Sequence, residues 1–321
     1  MKAILHTRYG PPEVLLLSDL PKPTPGPKEL LIRVHKTAVN RTDCAMLRAK
    51  PFIMRFLTGL FKPKKPVLGT EFAGEVESVG EEVYSFRPGD RVFGFDDSGL
   101  GTYAEYFTVT ENKGIAKLPE ALAYAQVIGG IEGLHYAYNF VNKVDFKSGE
   151  RVLINGATGA IGSAMLQLLK AYGAWVTAVG NTRNLELLRK LGADEVIDYQ
   201  QEDFTKSDRQ YDYVFDAVGK SSFFKCKRLL KAKGTYISSE LGYMIQNPVL
   251  ALLTPLTGGK KVRFPIPLQI DKSIELVKAL IIEGKYEVVI DKKYSLEEVP
   301  QAFKYVETGQ KTGNVVIDVV S

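Results

Sequence analysis

Two cysteines, three histidines and one tryptophan are all that 321 residues hold of those types. Cys44 and Cys226 show no CxxC spacing, so the chain carries neither a disulfide framework nor a thiolate zinc set. Charge of one sign is also scarce. Against 42 basic residues stand 37 acidic ones, and a net charge of +5 is too small to imply a nucleic-acid partner. No apolar run is long enough to span a bilayer, and Met1 leads straight into a strand-like Lys2-Ala3-Ile4-Leu5-His6 without a signal or transit sequence. These absences read as a soluble, cytoplasmic protein with no membrane partner. Internal repeats and low-complexity segments are missing too. What remains is an ordinary globular composition, 45% hydrophobic and 25% charged, in a chain whose length suits two domains.

The rest is arranged around residues 151–184. A short apolar run, Arg151-Val152-Leu153-Ile154, turns through Asn155-Gly156-Ala157-Thr158-Gly159-Ala160-Ile161-Gly162. A helical pattern follows with Ile161, Met165, Leu168, Leu169 and Tyr172 on one face. After Gly173 the chain runs back as Trp175-Val176-Thr177-Ala178-Val179. Strand, glycine turn, helix and strand in about thirty residues make the phosphate-binding half of a dinucleotide fold. A side chain at Gly159 would hold the backbone away from a pyrophosphate, and one at Gly162 would hold the helix off the strand. The free amides of the helix start then face the phosphates. Ala157 stands where the usual pattern has its first glycine. The alternative is a packing-driven glycine turn in a nucleotide-free domain.

The end of the second strand points to the cofactor. NAD-binding folds place an acid there for the ribose 2′-hydroxyl, whereas this chain reads Val179-Gly180-Asn181-Thr182-Arg183-Asn184. Arg183 can pair with a 2′-phosphate, and Thr182 and Asn181 can donate hydrogen bonds to it. The expected cofactor is NADPH, unless Arg183 is merely a solvated helix-start residue.

Residues 1–122 read as β-rich, with short strands at Glu29–His35, Phe72–Gly80 and Tyr103–Val109, a turn into a further strand over Arg87–Gly94, and Gly/Pro turns between, which suggests a compact barrel-like domain. Phe52-Ile53-Met54-Arg55-Phe56-Leu57, Leu60 and Phe61, backed by Lys62, Lys64 and Lys65, form either a lid or wall of a greasy pocket, or a core helix with a basic loop. Over 123–264 helices and strands alternate as a doubly wound parallel sheet. A helix at Lys272–Glu283 and strands at Glu287–Ile290 and Val315–Val319 follow. Residues 265–321 thus return to the first domain, with the active site expected in the cleft between the two. The basic stretch Lys225, Lys227, Arg228, Lys231 and Lys233 is read as the solvated face of a helix over Phe223–Lys231, with RNA contact as the alternative.

Taken together, the ordered motifs resemble a zinc-free medium-chain dehydrogenase/reductase of the quinone oxidoreductase (zeta-crystallin) and enone reductase branch. The matches are Val39-Asn40-x-x-Asp43, Leu68-Gly69-Thr70-Glu71-Phe72-Ala73-Gly74, Gly89-Asp90-Arg91-Val92-Phe93-Gly94, Gly156-Ala157-x-Gly159-x-x-Gly162, Leu191-Gly192-Ala193-Asp194 with Ile197-Asp198-Tyr199, and Lys311-Thr312-Gly313-Asn314-Val315-Val316. The resemblance implies an α/β protein with a GroES-like β-rich catalytic domain and a Rossmann NADP(H)-binding domain, and it implies a homodimer. Zinc-containing relatives place a Cys near position 40 and a His after Gly69. Here Asn40 and Thr70 stand instead, and Cys44 with the scattered His6, His35 and His135 does not make three ligands and an open site.

A site without zinc favours particular substrates. Reducing a plain ketone leaves an alkoxide, which needs a Lewis acid or a proton donor. Hydride addition to a quinone or to the β-carbon of an enone or alkenal leaves a phenolate or enolate. A phenol has a pKa of about 10, so hydrogen bonds or water can carry that charge. The implied reaction is hydride transfer from NADPH followed by protonation from solvent. By resemblance, Asn40 is the active-site amide, with a turn-forming Asn as its alternative, and Asp43 is its supporting partner or a helix cap. Thr158 and Gly159, Ala160, Ile161 and Gly162 bind the pyrophosphate. Tyr199 lies near the adenosine end or is a surface tyrosine, and Val218 and Gly219 flank the nicotinamide ribose. Three places depart from the pattern. Ile131-Glu132-Gly133 replaces Leu-Thr-Ala, Cys44-Ala45 replaces a tyrosine, and Gly313-Asn314 replaces Gly-Lys. Glu132 is accordingly either an unusual proton donor or a side chain out in water. Two further readings stay open, a non-catalytic NADPH-binding protein and a zinc alcohol dehydrogenase.

Overall fold

A computed structural model describes residues 1–52 and 54–320. It divides into two units, one made of Met1–Glu132, Ile270–Ile282 and the chain from Glu287 on, the other of Gly133–Gln269 with Glu283–Tyr286.

The first unit is built on the eleven-residue strand Glu29–Val39, whose β-branched and apolar residues are buried along most of its length. One edge of this strand carries two partners in succession. Its first half pairs with Tyr106–Thr110 and its last with Asn314–Asp318, both antiparallel. The other edge takes Glu71–Val79, followed by Arg91–Phe95 and Ile115–Lys117. Leu30, Ile32, Val34, Phe72 and Phe107 fill one core; Val39, Leu47, Phe303 and Val315 belong to another. The strand expected at Glu287–Ile290 begins only at Ile290 and runs to Ser295, because its parallel pairing starts at Ile290 opposite Asn314. Of the apolar stretch near position 55, Ile53 lies outside the described residues. Met54–Thr58 is a single short helix, and Phe52, Phe56, Leu60 and Phe61 are all exposed. Phe52 and Phe56, four residues apart, meet edge to face at 6.0 Å.

In the second unit six parallel strands line up in the order Glu195–Asp198, Trp175–Gly180, Arg151–Asn155, Tyr211–Asp216, Leu230–Ser238, Lys261–Arg263. Chain order therefore reverses at Arg151–Asn155, which is the Rossmann arrangement 3-2-1-4-5-6 with its switch point beside the first strand. The helix Ala160–Ala171 buries Ala164, Met165, Leu168 and Leu169, the face its apolar spacing requires. The basic stretch is not one helix. A turn of helix at Phe223–Cys226 gives way to a tighter turn at Lys227–Leu229 and then to strand. Leu229 and Leu230 are adjacent and fully buried, and Leu230 pairs with Tyr211, so the chain leaves helix there. Lys231 pairs with Asp212 and Arg228 with Asp208, which separates the charges expected on one face. Among the described residues no helix is long and apolar enough to cross a membrane.

Candidate functional site

Every nucleotide-binding residue expected in the second unit follows the carboxyl end of a parallel strand, where ligands of such sheets bind. Gly156 leaves Arg151–Asn155 with φ of 80°, and Gly159 is the N-cap of Ala160–Ala171. The two later glycines differ in what surrounds them. A Cβ on Gly162 would lie 2.1 Å from the Gly156 carbonyl oxygen and 2.7 Å from the Ala157 Cα, so this position is closed by packing. A Cβ on Gly159 would meet only the Gly156 oxygen at 3.7 Å. The space over Gly159 is thus open, and the first amides of the helix, at Ala160, Ile161 and Gly162, have no carbonyl one turn before them. Buried Ala157 donates its amide to the Val179 carbonyl at 3.0 Å and anchors the turn to the second strand. Thr158 packs toward Gly180. A cradle closed by backbone at Gly162 and open at Gly159 fits a pyrophosphate.

At the end of the second strand Asn181 caps the turn Thr182–Asn184, and Thr182 and Arg183 are exposed. A carboxylate stands here after all. Asp198 ends the neighbouring strand in register with Gly180 and accepts the Thr182 hydroxyl at 2.5 Å, while Gln200 accepts the Thr182 amide at 3.2 Å. The Thr182 side chain and backbone are thus both bonded to the neighbouring strand end. Tyr199 follows Asp198, bonded through its amide to the Gly180 carbonyl, with its ring half exposed. Val218 and Gly219 are held by Asp216, a fully buried carboxylate at the end of Tyr211–Asp216. Its Oδ1 accepts the amides of Val218 at 3.2 Å and Gly219 at 2.9 Å, and its Oδ2 accepts the Tyr236 hydroxyl at 3.0 Å.

The first unit gathers Asn40 and Asp43 around one buried cluster. Asn40 lies in the extended region before helix Arg41–Arg48, and Asp43, at its third position, accepts the Asn40 backbone amide at 2.9 Å. That is the reciprocal contact of a helix cap. The Asp43 Oδ1 is buried without a hydrogen-bond partner among the described residues. Burial and the nearby Glu132 both push the Asp43 carboxyl well above the ordinary range.

Glu132 is not out in water. It is 5% exposed and accepts Asn40 Nδ2 at 2.8 Å, the Thr42 hydroxyl at 2.6 Å and the Thr70 hydroxyl at 3.3 Å. Burial raises its pKa; the donors from Thr42, Asn40 and Thr70 and the charge of Lys311 pull the other way. Glu71, fully buried, accepts the amides of Gly129 at 2.5 Å, Ile131 at 3.4 Å and Glu132 at 3.2 Å. It ties the start of helix Ile131–Val141 to strand Glu71–Val79. Burial, then the Glu132 charge, pushes its pKa up to about 8. Lys311, partly buried, bonds the Gly313 carbonyl, and burial brings its amine down to about 8.

Sequence reasoning did not assign Glu71, Asp198, Asp216 or Lys311, and it left Glu132 open. Two signals were present. Glu71 precedes the small or apolar Phe72-Ala73-Gly74, and Asp216 follows the apolar Tyr213-Val214-Phe215, settings in which a carboxylate asks for a buried partner.

An open glycine cradle at the switch point of a six-stranded parallel sheet, with a β-rich unit holding a buried amide, defines a two-unit nucleotide-dependent oxidoreductase. Residues 26–120 match the alcohol dehydrogenase GroES-like domain, and residues 191–317 match the zinc-binding dehydrogenase domain. The chain is 33% identical to 2-methylene-furan-3-one reductase of Solanum lycopersicum over 99% of its length and 79% of the relative's. It is 31% identical to the chloroplastic NADPH-dependent alkenal/one oxidoreductase of Arabidopsis thaliana, with the same shares covered. The solved quinone oxidoreductase of Coxiella burnetii superposes with a TM-score of 0.89 at 28% identity, covering 100% of this chain and 99% of that one. The chain belongs to the medium-chain dehydrogenase/reductase superfamily. Among the described residues no group of three or more His, Cys, Asp or Glu side chains could hold a metal ion.

Proposed function

We propose that this chain is an NADPH-dependent oxidoreductase that passes hydride to quinones or α,β-unsaturated carbonyls and needs no zinc. The observation that carries the reading is Asn40, a buried amide fixed by Glu132 at a position where zinc-containing relatives place a Cys. The names of the relatives point the same way, toward enone, alkenal and quinone reductases.

Bound NADPH supplies the hydride. Gly156, Gly159, Gly162 and the amides that open helix Ala160–Ala171 would hold its pyrophosphate, and Arg183 with Asn181 its 2′-phosphate. Tyr199 would lie at the adenosine end, with Val218 and Gly219 along the nicotinamide ribose. One Asn40 N–H is engaged by Glu132; an amide nitrogen carries two, and the second would donate to the substrate oxygen as charge develops there. Asp43 would fix Asn40 through its backbone. A conjugated carbonyl suits this site because a hydrogen bond from Asn40 suffices for the enolate or phenolate that hydride addition leaves, a far weaker base than an alkoxide.

A homodimer is part of this reading. The second unit exposes Tyr243, Met244, Leu252 and Leu256 beside its edge strand Lys261–Arg263, an apolar surface and a row of backbone groups suited to a second copy. The test is NADPH oxidation followed against quinones, 2-alkenals and alkyl enones, with zinc measured on the same sample. NADPH binding without turnover on any of them supports a non-catalytic nucleotide-binding protein instead, and stoichiometric zinc with alcohol oxidation supports a zinc alcohol dehydrogenase.

A further inference from the structure

Glu132 is a carboxyl buried at the start of helix Ile131–Val141, where packing alone asks for no acid. Its carboxyl is 5% exposed, and its two oxygens have different neighbours. Oε2 receives Asn40 Nδ2, which can only donate, and at 3.3 Å the hydroxyl of Thr70, which is fully buried and leads nowhere outward. Oε1 lies 2.6 Å from the Thr42 hydroxyl, which can donate or accept. Thr42 is the partly exposed member of this group, beside the buried Asn40, Thr70 and Glu132. A proton on Oε1 therefore has one short path outward, through the Thr42 oxygen.

Resting on the reductase reading above, we propose that Glu132 is the internal acid of the reaction and that Thr42 relays its proton to the substrate oxygen. Hydride adds to the β-carbon of an enone, the C=C pair shifts to form the new bond to the carbonyl carbon, and the carbonyl π pair moves onto oxygen. The Thr42 O–H bond breaks as its proton goes to that oxygen, and the Glu132 O–H bond breaks as its proton replaces it on Thr42. The products are an enol, which tautomerises in water, and a Glu132 carboxylate that Thr42, Thr70 and Asn40 all face as donors. Water returns the proton through the same hydroxyl. An ionised Glu132 in the resting state would set a full negative charge beside Asn40, the amide meant to receive a developing one; a neutral acid avoids this.

The charged and titratable groups facing Glu132 come from three directions. Asp43 on helix Arg41–Arg48 and Glu71 on strand Glu71–Val79 favour its neutral form, and Lys311, ahead of strand Asn314–Asp318, favours the carboxylate. Burial adds to the first pair. The active form is then present at low pH and is lost as pH rises through the raised Glu132 pKa.

Full-length Glu132→Gln, Thr42→Val and Thr42→Ser are compared with wild type on an alkyl enone and on a quinone. General acids contribute about 10²–10⁴-fold, so Glu132→Gln and Thr42→Val should lower enone kcat by about 10²-fold. Quinone turnover should fall by a clearly smaller factor than enone turnover, because the phenolate formed is a weaker base than an enolate. Thr42→Ser should restore enone turnover, and the alkaline decline of wild-type kcat should be absent in Glu132→Gln. A second readout needs no turnover. The infrared difference between wild type and Glu132→Gln should hold a protonated-carboxyl band at neutral pH. Equal losses on both substrates, an unchanged pH profile, or a carboxylate band would overturn the acid role alone. A wild type inactive on every quinone and enone overturns the reductase reading and this proposal with it.

Discussion

Gly162→Ala and Gly159→Ala differ by three positions and should fail in different ways. The methyl of Gly162→Ala would be built 2.1 Å from the Gly156 oxygen, 2.7 Å from the Ala157 Cα and 2.8 Å from the Gly156 carbonyl carbon. All three are backbone atoms, and a relaxed C···O contact needs about 3.3 Å. Helix Ala160–Ala171 must therefore move about 1 Å from its strand. Overpacking of this kind costs about 1–3 kcal/mol, and a displacement of that size can cost about 10²-fold where geometry matters. Gly159→Ala meets nothing closer than 3.7 Å and sits at φ of −78°, which alanine adopts freely. Its stability should change by less than about 1 kcal/mol, since lost N-cap preference and reduced unfolded-state freedom oppose each other. Its methyl, however, fills the space over the helix amides. Urea unfolding and NADPH titration of each variant separate the two effects. Gly162→Ala should lose both stability and affinity, and Gly159→Ala affinity alone, by at least tenfold. Wild-type affinity in Gly159→Ala would refute the cradle.

Removing the Arg183 guanidinium should raise the NADPH Kd about tenfold, or about 1.4 kcal/mol, and leave that of NADH unchanged; equal effects on both would show that Asp198 and its neighbours set the preference. Asn40→Ala should lower kcat about 10²-fold on enones with NADPH affinity intact, which single-turnover kinetics and titration check together. The raised pKa of Glu71 binds its proton more tightly in the folded state, so stability should fall as pH rises from the ordinary carboxylate range to about 8. The depressed Lys311 acts oppositely, and its contribution should grow as pH rises from about 8 toward the ordinary lysine range. Melting temperature against pH should show the first slope in wild type and lose much of it in Glu71→Gln.

The glycine turn was legible because its requirements are local. Spacing, the preceding strand and the following helix all lie within thirty residues, and backbone atoms alone decide what fits over Gly159 and Gly162. Asp198 escaped notice because it reaches Thr182 only through the parallel register that sets it beside Gly180, sixteen residues away from Thr182 in sequence. Glu132 is a sharper case. Nothing near it says that residues 40, 42 and 70 will surround its carboxyl, since long-range pairing of Glu29–Val39 with Glu71–Val79 brings those ends together. The short strand Lys261–Arg263 offered too few residues for an alternating pattern, and only its partner Leu230–Ser238 defines it. Charge misled in one place. Five cations in nine residues read as a helix face, while two buried leucines among them required a turn and a strand.

The most direct measurement is the initial rate of NADPH oxidation with a panel of quinones, 2-alkenals and alkyl enones, using protein dialysed against a chelator and assayed for zinc. Turnover should persist on at least one conjugated carbonyl with zinc far below one per chain. No oxidation on any of them, or a rate that appears only as zinc is added back, would contradict it.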